Sequence, residues 1–133
     1  MISAYEQVRD RVVILGNSAH TLHPNGAQGF NLCLRDVAGL AEILIPALSE
    51  NKDVGEQELL NIYLAARQKD QRHVMRFSHG LATLFYNELP HKVLVRNAGM
   101  LLTDMVPIIK RSFLRQAMGL YGRQPSLVRG LAL

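Results

Sequence analysis

Between Gly16 and Asp36 the chain reads GNSAHTLHPNGAQGFNLCLRD, with two histidines, a proline and three glycines set between a β-branched run and an apolar run. Asn17 follows directly on the strand-like stretch, where side chains at the carboxyl end of a strand of an α/β sheet face a crevice. Its amide carries donors and an acceptor and suits a ribose or ribityl hydroxyl; alternatively it closes the turn after the strand. Gly26 and Gly29 allow close backbone approach and positive φ. A helix starting near Phe30 would turn free N–H groups and its positive dipole end toward whatever lies there. The chemistry favoured is the binding of an anionic or electron-rich ligand, although tight packing of a helix on a strand asks for the same glycines.

Other chemistries fit less well. His20 and His23 are three residues apart, but no HExxH helix accompanies them and no third ligand is near, so hydrogen-bonded loop histidines are expected rather than a metal site. His73, His79 and His91 are scattered over expected helices and loops. Neither Ser18 nor Cys33 has the elbow or the partner residues of a nucleophile, so no catalytic residue is expected here.

A loop of this kind needs rigid elements at both ends. Upstream, residues 11–16 (RVVILG) form an aliphatic run closed by glycine, expected as a strand buried on both faces. Downstream, over residues 30–48, Leu32, Leu34, Val37, Leu40, Leu44, Ile45 and Leu48 cover most of a helix. That helix is expected to be largely buried, with Pro46 disturbing its last turn. Polar residues 49–55 end in glycine and read as a loop. Apolar residues recur at helical spacing over 56–87, with a break expected at Gly80 and an end at Pro90. An amphipathic helix follows over 92–105, then Pro107, a short helix over 108–118, and an irregular tail rich in glycine. One strand of parallel type has no sheet to join and an all-round apolar helix has too little cover, so the chain is expected to be the end of something larger.

The 133 residues are 48% hydrophobic, enough for a core, and Cys33 is the single cysteine, which fits a reducing compartment. No apolar run is long enough to span a membrane and no export signal opens the chain, so a soluble cytoplasmic protein is expected. The formal charge is +4, with most of the excess basic residues after Arg67. These alternate with apolar residues and read as a solvated helix face rather than a nucleic-acid patch, with weak attraction to an anionic membrane surface.

Taken in order, Arg11, Gly16-Asn17-Ser18-Ala19-His20, Pro24, Gly29, Asn31 and Asp36 resemble the second flavin-binding motif of the aromatic-ring flavoprotein monooxygenases. Within them the wording HTLHP and QGFNL followed by LRD is most similar to the ubiquinone-biosynthesis hydroxylases that act on polyprenylated phenols. Residues 115–120 (RQAMGL) also resemble the tail of such hydroxylases. The resemblance implies the C-terminal fragment of an α/β FAD-binding monooxygenase fold, here mainly α with one or two short strands. Residues 1–48 would be the C-terminal part of the FAD-binding domain and 49–133 a helical C-terminal segment.

It further implies FAD as cofactor, held by Gly16, Asn17, Pro24, Gly29, Phe30 and Asn31. Asn17 would lie near the ribityl and diphosphate portion, the main chain at Pro24 would face the reacting ring edge, and residues 29–31 would aim a helix N-terminus at the N1 and O2 side. The implied parent hydroxylates a polyprenylated phenol with NAD(P)H and O2 through a flavin hydroperoxide, peripheral to the inner membrane, in company with a homo-oligomer or quinone-pathway proteins. Asn17 stands where the wider family has aspartate, Asn25-Gly26-Ala27 departs from the usual glycine order, and Cys33 replaces a glycine. The GxGxxG motif that grips the ADP half of FAD is missing from the 133 residues, so the chain alone is expected to be inactive and without tightly bound FAD. The competing expectation is a helical assembly or oligomerisation module with an idle flavin loop.

Overall fold

The computed structural model describes residues 2–24, 27–86, 89–120, 122 and 124–132. Among them four helices carry the architecture: α1 (Gln28–Ser49), α2 (Gln57–Tyr86), α3 (Pro90–Met105) and α4 (Pro107–Ala117). The mainly α expectation is borne out. The strands are four of two residues each, β1 (Ile2–Ser3), β2 (Val8–Arg9), β3 (Val12–Val13) and β4 (His20–Thr21), joined as antiparallel pairs β1–β4 and β2–β3.

The run at 11–16 is not a strand buried on both faces. Only Val12 and Val13 are paired as a strand, with Arg9 and Val8 across a hairpin, and Val12 is 58% exposed. The physical reason is the two-residue turn at Asp10-Arg11, where both residues take positive φ, as a tight hairpin turn requires. A non-glycine pair gives no turn signal in the sequence. The strained turn is held from outside: Gln57 Oε1 accepts the Asp10 N–H at 3.1 Å, and Arg11 Nη1 reaches Asp53 Oδ2 at 2.5 Å.

Helices α1 and α2 lie antiparallel, since Arg35 and Asp36 meet Arg67, Asp70 and Gln71 midway along α2 while Leu40, Ile43 and Leu44, further along α1, pack with Leu60 and Tyr63 near the start of α2. Val8, Leu60 and Tyr63 form the buried core, with Val13, Leu15, Leu40, Ile43, Leu44 and Leu64 packed around it. Removing each such large side chain from water contributes about 2 kcal/mol. Gly39 sets the closeness of the two helices, because a Cβ there would lie 2.7 Å from Arg67 Cδ. Contrary to the sequence expectation, α1 is not largely buried. It covers Leu32, Ala38, Gly39 and Ala47, while Leu34, Val37, Ile45 and Leu48 remain exposed because α2 and the hairpin occupy only one side of it.

α2 runs unbroken through Gly80, so the expected break there does not occur, and the expected end at Asn87 lies outside the described residues. Pro46 sits inside α1, which continues three residues further. Pro107 does separate two helices: Val106 is extended at φ −107° and ψ 105°, as the residue before a proline prefers, and Pro107 opens α4. The tail folds back on α1, where Glu42 Oε1 accepts the Ser126 N–H.

Candidate functional site

Of the six residues expected to bind cofactor, Gly16 and Asn17 fall on the turn after β3, Pro24 on the irregular stretch after β4, and Gly29, Phe30 and Asn31 on the start of α1. Gly16 opens a short 3-10 turn over Gly16–Ser18 at φ +63°, and a Cβ on it would lie 2.9 Å from Cys33 Sγ. Glycine is required there on both counts. Asn17 is exposed; its carbonyl accepts the Thr21 hydroxyl at 3.0 Å, while its side-chain amide has no hydrogen bond among the described residues. The turn is therefore closed by backbone and Thr21, and the Asn17 amide is left for another partner.

Gly29 and Cys33 are one helical turn apart and share a face of α1. The 3-10 turn covers that face at Cys33, whereas nothing comes within 4 Å of a Cβ built on Gly29. Phe30 is 66% exposed beside it, Asn31 is half-buried and Pro24 is exposed. α1 starts after Ala27, itself left-handed at φ 59°, with no side-chain cap and no acidic residue in its first turn. Its N-terminal N–H groups and positive dipole end thus face an open notch, which suits an electron-rich ring approaching Gly29. The residues present fit the flavin expected of them. Asn25 and Gly26, between Pro24 and Ala27, lie outside the described residues.

Beneath the loop is a buried polar cluster. Asp36, on α1, accepts hydrogen bonds from Arg67 Nε at 2.8 Å, Gln71 Nε2 at 3.1 Å and His20 Nε2 at 2.7 Å. With a carboxylate as acceptor, His20 carries its hydrogen on Nε2, and Nδ1 is a buried atom with no partner among the described residues. Asp70 completes the cluster, accepting from Arg67 Nη2 at 2.6 Å and Arg35 Nη1 at 3.0 Å. Two arginines face two aspartates, so the buried charges balance. His20 opens β4, and its bond to Asp36 ties this strand to α1 and, through Arg67 and Gln71, to α2.

Burial acts first on both guanidiniums, lowering their pKa. For Arg35 it prevails over the attraction of Asp70, whereas for Arg67 the bonds and charges of Asp36 and Asp70 prevail and hold it above the usual arginine value. Burial likewise pushes the Tyr63 phenol far up, aided by the nearby negative charge of Asp36.

Sequence reasoning placed Asp36 in the motif but did not find Arg35, Arg67, Asp70 or Gln71 as its partners. Their signal is the helical spacing of Arg67, Asp70 and Gln71, which puts all three on one face of α2. His20 is a hydrogen-bonded loop histidine, as expected, and His23 stacks on His79 with ring centroids 5.9 Å apart. No group of three metal-ligating side chains gathers among the described residues. The tail also reaches the loop: Gln28 Nε2 donates to the Ala117 carbonyl, and Gly119, at φ +71°, packs against Arg35 and Asn31.

Residues 2–78 match the family described as FAD binding domain. Over 98% of its length the chain is 37% identical to the ubiquinone hydroxylase UbiL of Rhodospirillum rubrum, of which it covers 31%. It is 31% identical to the 3-demethoxyubiquinol 3-hydroxylase of Escherichia coli, covering 88% of the chain and 30% of that protein. To the human mitochondrial ubiquinone biosynthesis monooxygenase COQ6 it is 32% identical, covering 84% of the chain and 24% of that protein. The chain thus spans less than a third of the length of these relatives. No solved structure matches it.

Proposed function

The chain belongs to the FAD binding domain family, and from that premise we propose that it is the C-terminal part of an FAD-dependent monooxygenase that hydroxylates a polyprenylated phenol in ubiquinone biosynthesis. The observation that carries the reading is the open, uncapped start of α1 at Gly29, next to an exposed Asn17 whose amide has no bond among the described residues. FAD, reduced by NAD(P)H, would supply the activation of O2 that aromatic hydroxylation needs. The chain's own part is binding and electrostatics. Asn17 would hold the ribityl hydroxyls, and the N–H groups of Gly29 and Phe30 in the first turn of α1 would stabilise negative charge on the pyrimidine side of the ring. The His20–Asp36 bond is a positioning contact that holds the loop against α1.

The test reconstitutes the chain with the N-terminal portion of the Rhodospirillum rubrum relative and measures the FAD retained after gel filtration. The pair should retain FAD, Asn17→Ala should retain less, and Gly29→Val should retain none. Since nothing lies within 4 Å of the Gly29 Cβ position, Gly29→Val should leave the thermal midpoint of the chain almost unchanged, which separates lost binding from lost folding. Full flavin content in the Gly29 variant would overturn the placement of the cofactor. The second reading, an assembly module with an idle loop, rests on the exposed apolar residues of α3 and α4. It predicts a pair that self-associates and retains no flavin.

A further inference from the structure

We propose that a pocket between α1, α2 and α4 receives the phenol ring of the substrate, and that the side-chain oxygen of Gln28 accepts a hydrogen bond from its hydroxyl. The pocket is read from its own walls; that its occupant is a substrate rests on the hydroxylase reading above. Phe77, Leu81 and Phe85 recur every four residues and so share one face of α2. Together with Phe113 and Ala117 of α4 and Gln28, the first residue of α1, they line a cavity of about 330 Å³. That volume is at the lower end of small-molecule sites, room for one substituted ring. The Phe77 and Phe113 rings meet at 58° with centroids 5.9 Å apart, a tilted packing that a third ring can join.

Apart from Tyr86, which is 80% exposed, Gln28 is the only polar side chain in the described wall. It is 3% exposed, and the two atoms of its amide are in different situations. Nε2 donates to the Ala117 carbonyl, which fixes the orientation of the amide, since the flipped form would set oxygen against oxygen. Oε1 is thereby left as a buried acceptor with no partner among the described residues. An unpaired buried acceptor is costly, so the pocket is matched to a ligand that brings a donor.

The walls decide which donor. A hydrocarbon chain, or an apolar side chain from a second copy, would fill the cavity but leave Oε1 unsatisfied. An ammonium would find no carboxylate in the described wall, and the Arg96 guanidinium already stands over the Phe85 ring, 5.7 Å from its centroid. A neutral aromatic hydroxyl meets both demands: its ring packs with the phenylalanines and its O–H donates to Oε1. Gln28 and Gly29 are consecutive, with Cα atoms about 3.8 Å apart as in any trans peptide, so the pocket wall adjoins the open notch at the start of α1. A hydroxyl held at Gln28 fixes how the ring is turned toward that notch, which makes Gln28 a residue that orients substrate.

The test titrates the isotope-labelled chain, without flavin, with 2-prenylphenol and with its methyl ether, and follows the amide signals by NMR. The phenol should bind about tenfold more tightly than the ether, which leaves Oε1 unpaired, and should shift the Gln28 side-chain signal. Gln28→Leu should bring the two affinities together. A Gln28 that served only the fold would weaken both ligands alike and leave their ratio standing, which would overturn the proposal. Because that variant also loses the bond to Ala117, Leu81→Trp is the second: it fills the cavity, keeps Gln28 and should abolish binding of both ligands. Equal affinity for phenol and ether in the parent chain, no binding, full binding in the Leu81 variant, or displacement of the phenol by riboflavin, which would give the pocket to the flavin ring, would each overturn the proposal. A chain that retains FAD on reconstitution yet fails here loses the pocket alone; one that binds the phenol yet retains no FAD loses the cofactor reading alone.

Discussion

The substitution Asp36→Asn tests the buried cluster most directly. It preserves volume but removes the charge and replaces one oxygen with a donor. If the new amide nitrogen takes the place of Oδ2, it faces two donors, His20 Nε2 and Gln71 Nε2; if it takes the place of Oδ1, it faces Arg67 Nε. The second orientation opposes donor to donor, and the first avoids it only if His20 moves its hydrogen to Nδ1 and Gln71 turns its amide oxygen inward, in a site where Asp36 is 0% exposed. Removing one partner of a buried ion pair costs about 3–5 kcal/mol, and because Arg67 keeps Asp70 the lower end, about 3 kcal/mol, applies. Against the roughly 5–15 kcal/mol that stabilises a domain, this is a large fraction. For a chain of this size it corresponds to a fall in Tm of about 10 °C. Urea and thermal unfolding followed by circular dichroism measure both. Asp104→Asn, which breaks the exposed pair with Lys110, is the control and should leave the midpoint where it is. A loss below about 0.5 kcal/mol in Asp36→Asn, the level of an ordinary surface change, would refute the assignment of Asp36 as the hub.

Two other perturbations follow from the same structure. Burial raises the Tyr63 pKa above its unfolded value of about 10, so the folded chain keeps a proton that the unfolded chain loses. Stability should be full below about pH 10 and fall as pH rises above it. The Tyr63 hydroxyl is buried without a partner, so Tyr63→Phe should flatten that alkaline fall and raise neutral stability by about 1 kcal/mol, as read from urea midpoints at each pH. Gly16→Ala combines a left-handed backbone with a Cβ 2.9 Å from Cys33 Sγ and should cost about 2 kcal/mol. Adding Cys33→Ala should return only the contact part, and full recovery in the double variant would show that the backbone conformation carries no strain.

The helices were legible from the sequence because their apolar spacing is regular and prolines mark the junctions: Pro90 and Pro107 each stand at the first residue of a helix. Gly80 misled, since glycine lowers helix propensity by only about 1 kcal/mol and a 30-residue helix absorbs that. The strand at 11–16 was misread because the turn before it consists of Asp10 and Arg11, residues whose positive φ is imposed by Gln57 and Asp53 far along the chain. The glycine-rich loop could be recognised from its own residues. The cluster that holds it could not, because Asp36 and its partners Arg67 and Gln71 are 31 and 35 positions apart and meet only when α1 and α2 pack.

The bond from Gln28 to the Ala117 carbonyl spans 89 positions and ties the first residue of α1 to the last of α4. Contacts so distant close late, after the neighbouring α1 and α2 have paired, because closing a longer loop costs more entropy. On a ribosome, where residues emerge in order, the glycine-rich loop is made before α4, and the bond that ties its helix start waits for Ala117. Completion of the notch at the start of α1 is in this way timed to the arrival of α4. A nascent or prematurely terminated chain lacking α4 would carry the loop residues with Gln28 still unanchored.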